Sequence, residues 1–199
     1  QARWVEQGHT DRRLWVRATG SVASLPLTGT PFICRNTLVM LPSLAGVTAN
    51  LEQLQLQDNP LTEVPELGSA PALTLLDMNS CQLAAIDPAR LTALTAATKL
   101  NFKGNQLSAL PEGMSALRSL EILNVGANKL TGLPSDLAQC PALKVVLINN
   151  NEVAQVPSVL LQIPTMQRVM FKGCPVAGSE SPEMEQLEAT CKKNKGWVR

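Results

Sequence analysis

Asn59, Asn105, Asn128 and Asn151 are the residues whose type and spacing first suggest chemistry, because they stand at multiples of 23 residues along the chain. That chemistry is hydrogen bonding. A carboxamide offers both donors and an acceptor, and leaving such a bond unmade in an interior costs about 1–3 kcal/mol. Cys81 and Cys174 fall in the same column and take a structural reading with it. Catalytic chemistry finds little support. The chain has one histidine, His9, with no partner nearby in sequence, and it is taken as a surface residue. No Gly-rich phosphate loop is present, and no motif places a Ser/His/Asp or Cys/His pairing. The five cysteines (Cys34, Cys81, Cys140, Cys174, Cys191) show no Cys-x-x-Cys or Cys/His metal spacing. The expectation is a non-enzyme with no metal and no cofactor.

The asparagines belong to a longer frame. Residues 120–134 read LEILNVGANKLTGLP, with Leu120, Leu123, Val125, Asn128, Leu130, Leu133 and Pro134 at its fixed positions. One period back stand Ala97, Leu100, Phe102, Asn105, Leu107, Leu110 and Pro111; one forward, Leu143, Val146, Ile148, Asn151, Val153, Val156 and Pro157. Frames start at residues 51, 73, 97, 120, 143 and 166, so they lie 22 to 24 apart. Self-similarity at such a period is the mark of a solenoid. Strand side chains alternate, so the L-x-L pair points inward and its neighbours outward. Each buried Leu or Val is worth roughly 1.5–3 kcal/mol, enough for coil to stack on coil. After each Leu-Pro, apolar pairs three apart (Met114 and Leu117, Leu137 and Cys140, Leu160 and Ile163) fit a short helix or 3₁₀ turn. In the second clear frame Asp87 replaces the usual Pro.

The predicted fold is therefore an α/β solenoid: a right-handed superhelix with a parallel concave sheet, about seven coils, and a cap at each end. Residues 1–27 read as an N-terminal cap and degenerate first coil, 28–178 as the repeats, and 179–199 as a C-terminal capping helix and tail. Trp4, Val5, Leu14, Trp15 and Val16 are the apolar residues of the lead-in, predicted as a short helix followed by a strand around Leu14 to Val16. Val22, Leu25 and Pro26 look like the tail of a repeat, but only ten residues separate Pro26 from Asn36, so the Pro26 to Ile33 segment is short for a full coil. Near the end, Ser181 suits an N-cap and Pro182 the first helical position. Glu183 and Glu185 then fall in the first turn and Lys192 and Lys193 in the last, as the helix dipole favours. Trp197 is expected to pack beside that helix.

Composition bounds the function. Over 199 residues the formal net charge is +1, which gives no nucleic-acid footprint. Aromatic residues are 3% of the chain and tyrosine is absent, so the core must rest on Leu, Val, Ile and Ala. No apolar run approaches a membrane span. Unpaired cysteines favour a reducing, intracellular setting, cytoplasmic first, with an organelle or cilium as alternatives.

The Leu-Pro after each Asn-x-Leu, as in NQLSALP and NKLTGLP, resembles the intracellular 23-residue leucine-rich repeat group. That group includes the Ras-pathway scaffold, Ras suppressor protein and the plant Ras-group-related proteins. The flanks ARWVEQGHT and MEQLEATCKKNKGW are similar to those of the leucine-rich repeat-containing protein 57 group. The resemblance implies protein–protein scaffolding without catalysis. Members often start Met-Gly, which implies N-myristoylation. This chain leads with Gln1 and Ala2, so a lipid anchor or targeting segment upstream stays an open question.

A partner would meet the residues flanking the inward pair. The candidate partner-binding residues are Leu75, Lys99, Asn101, Lys103, Ile122, Asn124, Val145, Leu147, Arg168, Met170 and Lys172. Ile122, Val145, Leu147 and Met170 form the apolar centre, and contiguous exposed apolar patches mark interaction sites. Lys99, Lys103, Arg168 and Lys172 supply a basic rim that would steer an acidic partner. The competing expectation is that the C-terminal segment folds over this patch. The functional expectation is an adaptor or scaffold binding a protein on its concave face. A permanent structural subunit of a large organellar or ciliary assembly is the alternative.

Overall fold

Alternation along three-residue strands builds the sheet. The computed structural model describes residues 13–15, 30–32, 41, 43, 44 and 50–199. The predicted lead-in helix, His9, Cys34 and the Val22–Pro26 repeat tail lie outside the described residues. Among the described residues, nine strands form one sheet in strict chain order. They are β1 (Arg13–Trp15), β2 (Thr30–Phe32), β3 (Gln53–Gln55), β4 (Leu75–Asp77), β5 (Lys99–Asn101), β6 (Ile122–Asn124), β7 (Val145–Leu147), β8 (Arg168–Met170) and β9 (Trp197–Val198). Every neighbouring pair is parallel. Strand starts lie 22 to 24 residues apart from β2 to β8, but β1 and β2 begin only 17 apart, at Arg13 and Thr30. Of the Pro26 to Ile33 segment, expected to be short for a full coil, only residues 30–32 are among the described residues.

The centre of each strand from β3 to β8 drives into the core. Leu54, Leu76, Leu100, Leu123, Val146 and Val169 are fully buried and sit in register. A second buried column runs Leu56, Met78, Phe102, Val125, Ile148, Phe171, and the two phenylalanines are the largest fully buried side chains. The scarce aromatic residues are thus spent where a wide gap must be filled, since interiors pack densely.

Beyond the strands the chain turns, and the asparagine column holds the turn. The Asn128 amide donates to Phe102 O, Val125 O and Gly126 O at 3.0–3.2 Å, while its Oδ1 accepts Leu107 N–H at 3.0 Å. Asn105 repeats this with Met78 O and Leu83 N–H, and Asn151 with Val125 O and Leu130 N–H. Each carboxamide therefore ties its own turn to the coil before it. Cys81 Sγ donates to Leu56 O at 3.5 Å and Cys174 Sγ to Ile148 O at 3.1 Å, so the thiols supply the donor half of the same function. The residue before each ladder position has positive φ: Asp58, Ser80, Gly104, Ala127, Asn150 and Gly173. Two of the six are glycine and two, Asp58 and Asn150, are types that tolerate this region, so the turn imposes a resisted conformation only on Ser80 and Ala127.

On the outer side lie α1 (Pro88–Leu91), 3₁₀ turns at Met114–Ala116 and Ser135–Gln139, and α2 (Ser158–Leu161). The apolar pairs read as their buried edges are buried. Asp87, which replaces the usual Pro, caps α1 by accepting Ala89 N–H at 2.9 Å. Asp136 Oδ2 accepts Gly113 N–H at 2.7 Å and Ser115 N–H at 3.1 Å, joining two successive outer turns.

The last helix, α3 (Pro182–Lys193), starts on Ser181, whose hydroxyl accepts Met184 N–H at 3.2 Å. Its buried Met184, Leu187 and Cys191 join the core, and it packs against α2. Asn194 then donates to Pro164 O and Met166 O at 2.8 and 2.7 Å, returning the chain to the sheet. Trp197 and Val198 are not a loose tail: they add a parallel strand beside β8 while also contacting α3.

Candidate functional site

The face opposite the core is where the strands leave side chains unpacked. Because Val146 and Val169 point inward, Val145, Leu147, Arg168 and Met170 point outward. Register fixes their neighbours. Ile122 stands beside Val145, and Leu147 stands beside Met170. All four are half-buried, and they form one apolar surface across β6, β7 and β8. Leu75 is set apart from it, because Lys99 lies between Leu75 and Ile122.

The polar candidates divide. The Asn101 amide donates to both Asp77 carboxylate oxygens at 3.0 Å, and its Oδ1 accepts Lys103 N–H at 3.3 Å. Asn124 Oδ1 accepts Gly126 N–H at 3.2 Å. Both side chains therefore brace the strand ends, as Asp77 does by accepting Asn79 N–H at 2.9 Å. At Leu147 and Met170 no such brace is possible, and the apolar surface begins there. Lys99, Lys103, Arg168 and Lys172 are exposed. Lys144 and Glu121, just before β7 and β6, form an ion pair at 3.0 Å.

Two residues absent from the sequence-based site join it. Trp197 pairs in register with Arg168, so it extends the column Ile122, Val145, Arg168. The Arg168 guanidinium lies over the Trp197 ring, 4.8 Å from its centroid, and Arg199 approaches the same ring at 5.3 Å. The signal in sequence was slight: Gly196 followed by two apolar residues, too short a run to read as a strand. Gly196 is required by contact. A Cβ there would collide with the Gln167 carbonyl oxygen.

Elsewhere the chemistry is quiet. Burial pushes the thiols of Cys81, Cys140 and Cys191 up to about 11, which keeps them protonated and poorly nucleophilic. Among the described residues, no group of three His, Cys, Asp or Glu side chains is placed to hold a metal ion. A cleft of about 630 Å³ on the outer side is lined by residues that include Glu66, Pro71, Asp87, Arg90 and Thr95. Its one cation, Arg90, is held between Glu66 at 3.7 Å and Asp87 at 3.9 Å. No helix among the described residues is long and apolar enough to cross a membrane.

No family model and no curated protein matches the chain. Among solved structures, it is similar to a leucine-rich repeat protein from Leptospira interrogans, with a TM-score of 0.59 and 26% identity over 77% of this chain. This is a leucine-rich repeat protein. The asparagine ladder, the one-residue-earlier positive φ and the parallel sheet are the physical content of that name. The chain covers only 45% of the Leptospira protein's length. The likeness therefore concerns the leucine-rich repeat architecture and carries no partner across. What distinguishes this chain from a bare scaffold is its outward sheet face, apolar over β6 to β8 and basic around that area.

Proposed function

We propose that the chain is a non-catalytic protein-interaction module that binds a polypeptide partner across the outward face of its sheet. One observation carries the reading: Ile122, Val145, Leu147 and Met170 are adjacent in register on a face the core does not use. Apolar side chains held side by side on an outward face are a standing cost in water, relieved when a partner covers them. Lys99, Lys103, Arg168 and Lys172 around that area favour an acidic partner and speed encounter with it. Asn101 and Asn124 would contribute through their edges, since their amides already brace the sheet. Leu75 would lie at the margin of the contact.

The domain reading follows the same logic: residues 28–178 carry the repeats, and the segments before and after close the two ends. An adaptor of this kind acts in the cell interior and moves between partners. The second reading, a permanent subunit of a large assembly, uses the same face.

The test is a Val145→Asp plus Leu147→Asp double change. Both positions are half-buried on the outward face, so the variant should fold with a melting temperature near wild type. Its set of co-purifying native proteins should lose members relative to wild type under quantitative mass spectrometry. An unchanged set would overturn the reading. Migration of wild type in a native extract separates the two versions, free and small for an adaptor, always in a large particle for a permanent subunit.

A further inference from the structure

Arg168 and Arg199 come from segments 31 residues apart, yet both approach one indole ring. Cation–π attraction holds a guanidinium within about 6 Å of a ring centroid, and each satisfies that distance. Bringing two like charges to one ring is unfavourable unless something offsets it. Among the described residues, neither guanidinium meets a carboxylate, although the same surface pairs Lys144 with Glu121. The main chain of Arg199 is held against β8: its N–H donates to Val169 O at 3.0 Å, and its O accepts Phe171 N–H. Two guanidiniums therefore converge on one ring, and an anion bound there would offset their repulsion.

Resting on the interaction face proposed above, we propose that Trp197, Arg168 and Arg199 form a clamp for a partner carboxylate. The occupant it fits is an extended polypeptide segment carrying an acidic side chain next to apolar ones. The planar guanidinium fork matches a carboxylate with two parallel hydrogen bonds, which a lysine ammonium cannot reproduce. The apolar neighbours follow from register. Val145 is one strand from Arg168, and Leu147 one strand from Met170. Strands lie about 4.8 Å apart, so a segment with its acid on the clamp lays its next side chains on Val145 and Leu147. The charge on the face agrees, because Asp77 is bound to Asn101 and Glu121 to Lys144.

The probe is a fluorescein-labelled 12-residue peptide of alternating Glu and Leu, with Gln/Leu and Lys/Leu versions as controls, read by anisotropy against the full chain. Wild type should bind the Glu/Leu peptide best, with affinity falling as salt rises. Arg168→Gln plus Arg199→Gln should weaken that binding roughly tenfold or more, flatten its salt dependence, and leave Gln/Leu binding unchanged. Arg168→Lys plus Arg199→Lys should keep the salt dependence but not restore the affinity. Val145→Asp plus Leu147→Asp should abolish binding. If only the aspartate variant loses binding, the clamp is wrong and the face stands; if neither does, both fall. No binding of the Glu/Leu peptide to wild type overturns the clamp alone, since co-purification tests the face separately. Equal, arginine-dependent binding of a uridine oligonucleotide overturns it in favour of a phosphate-bearing partner. Sedimentation showing a wild-type dimer that the arginine variants dissociate overturns it in favour of a second copy.

Discussion

Arg168 rests over the ring of Trp197, 4.8 Å from its centroid, across the junction between the last regular repeat and the chain's returning end. The contact exists because Trp197 occupies the next strand in the column that holds Ile122, Val145 and Arg168. An end-closing helix and an interaction face are usually separate features of a solenoid. In this chain the segment after the helix extends the sheet, and so the competing expectation of a covering C-terminal segment resolves differently. Residues 197–198 lengthen the sheet at its edge.

That strand depends on Gly196. Replacing it with alanine puts a methyl group against the Gln167 backbone carbonyl, which cannot move without breaking β8. Gly196→Ala should expel β9, expose the Trp197 ring and weaken the end of the sheet. A red-shifted tryptophan emission and faster amide exchange at Phe171, whose N–H donates to Arg199 O, would show it. Unchanged spectra would place Trp197 elsewhere.

The asparagine ladder makes a graded prediction. Asn128→Ala removes a buried amide that makes three donor contacts and one acceptor contact, and should cost about 1–3 kcal/mol or more in urea titration. Asn128→Cys should cost less, because Cys81 and Cys174 show that a thiol keeps one donor bond in this column. Equal losses for both variants would contradict the hydrogen-bond account and leave packing as the cause.

Ala127 sits at φ 53°, where a β-carbon is disfavoured by about 1–2 kcal/mol. Glycine escapes that cost but adds freedom to the unfolded chain, worth about 0.4–1 kcal/mol. The balance favours Ala127→Gly by up to about 1.6 kcal/mol, a small rise in the denaturation midpoint. A drop would mean the methyl group packs better than its exposure implies.

Asp136 joins two outer turns through Gly113 and Ser115. Asp136→Ala leaves two backbone donors without that partner and should lower stability by about 1–3 kcal/mol. Asp136→Asn keeps one acceptor oxygen and should recover part of it. Chemical denaturation of the two variants side by side decides the matter.

The buried thiols set a pH limit. Cys81, Cys140 and Cys191 ionise near 11 in the folded chain, above their ordinary value of 9.0. The folded state then holds its thiol protons more tightly than the unfolded state, so stability falls as pH rises between about 9 and 11. Below about 9 these groups contribute no slope. A melting temperature flat from pH 7 to 8.5 and falling above 9, with less fall in a Cys140→Ala variant, is the expected result.

Much of the fold was legible in the residues themselves. Leu54, Leu76, Leu100, Leu123 and Val146 recur at one period because every coil solves the same packing problem, so each repeat repeats its evidence. The asparagine column could be read for the same reason. The outward face was legible in part: alternation alone told that Val145 and Leu147 oppose Val146. The bracing of Asn101 on Asp77 was not, since it joins two coils through side chains whose spacing resembles that of any polar pair.

What the sequence determined by itself was therefore everything periodic: the coil, its buried columns, its hydrogen-bonded turns and the faces of its strands. What only the tertiary structure decided was what happens once. Asp136 reaching back to Gly113, and Trp197 returning past α3 to stand beside Arg168, are single long-range contacts with no copy among the described residues. Periodic patterns announce a contact many times over. A contact made once is fixed by packing and register in space, and linear spacing carries almost no trace of it.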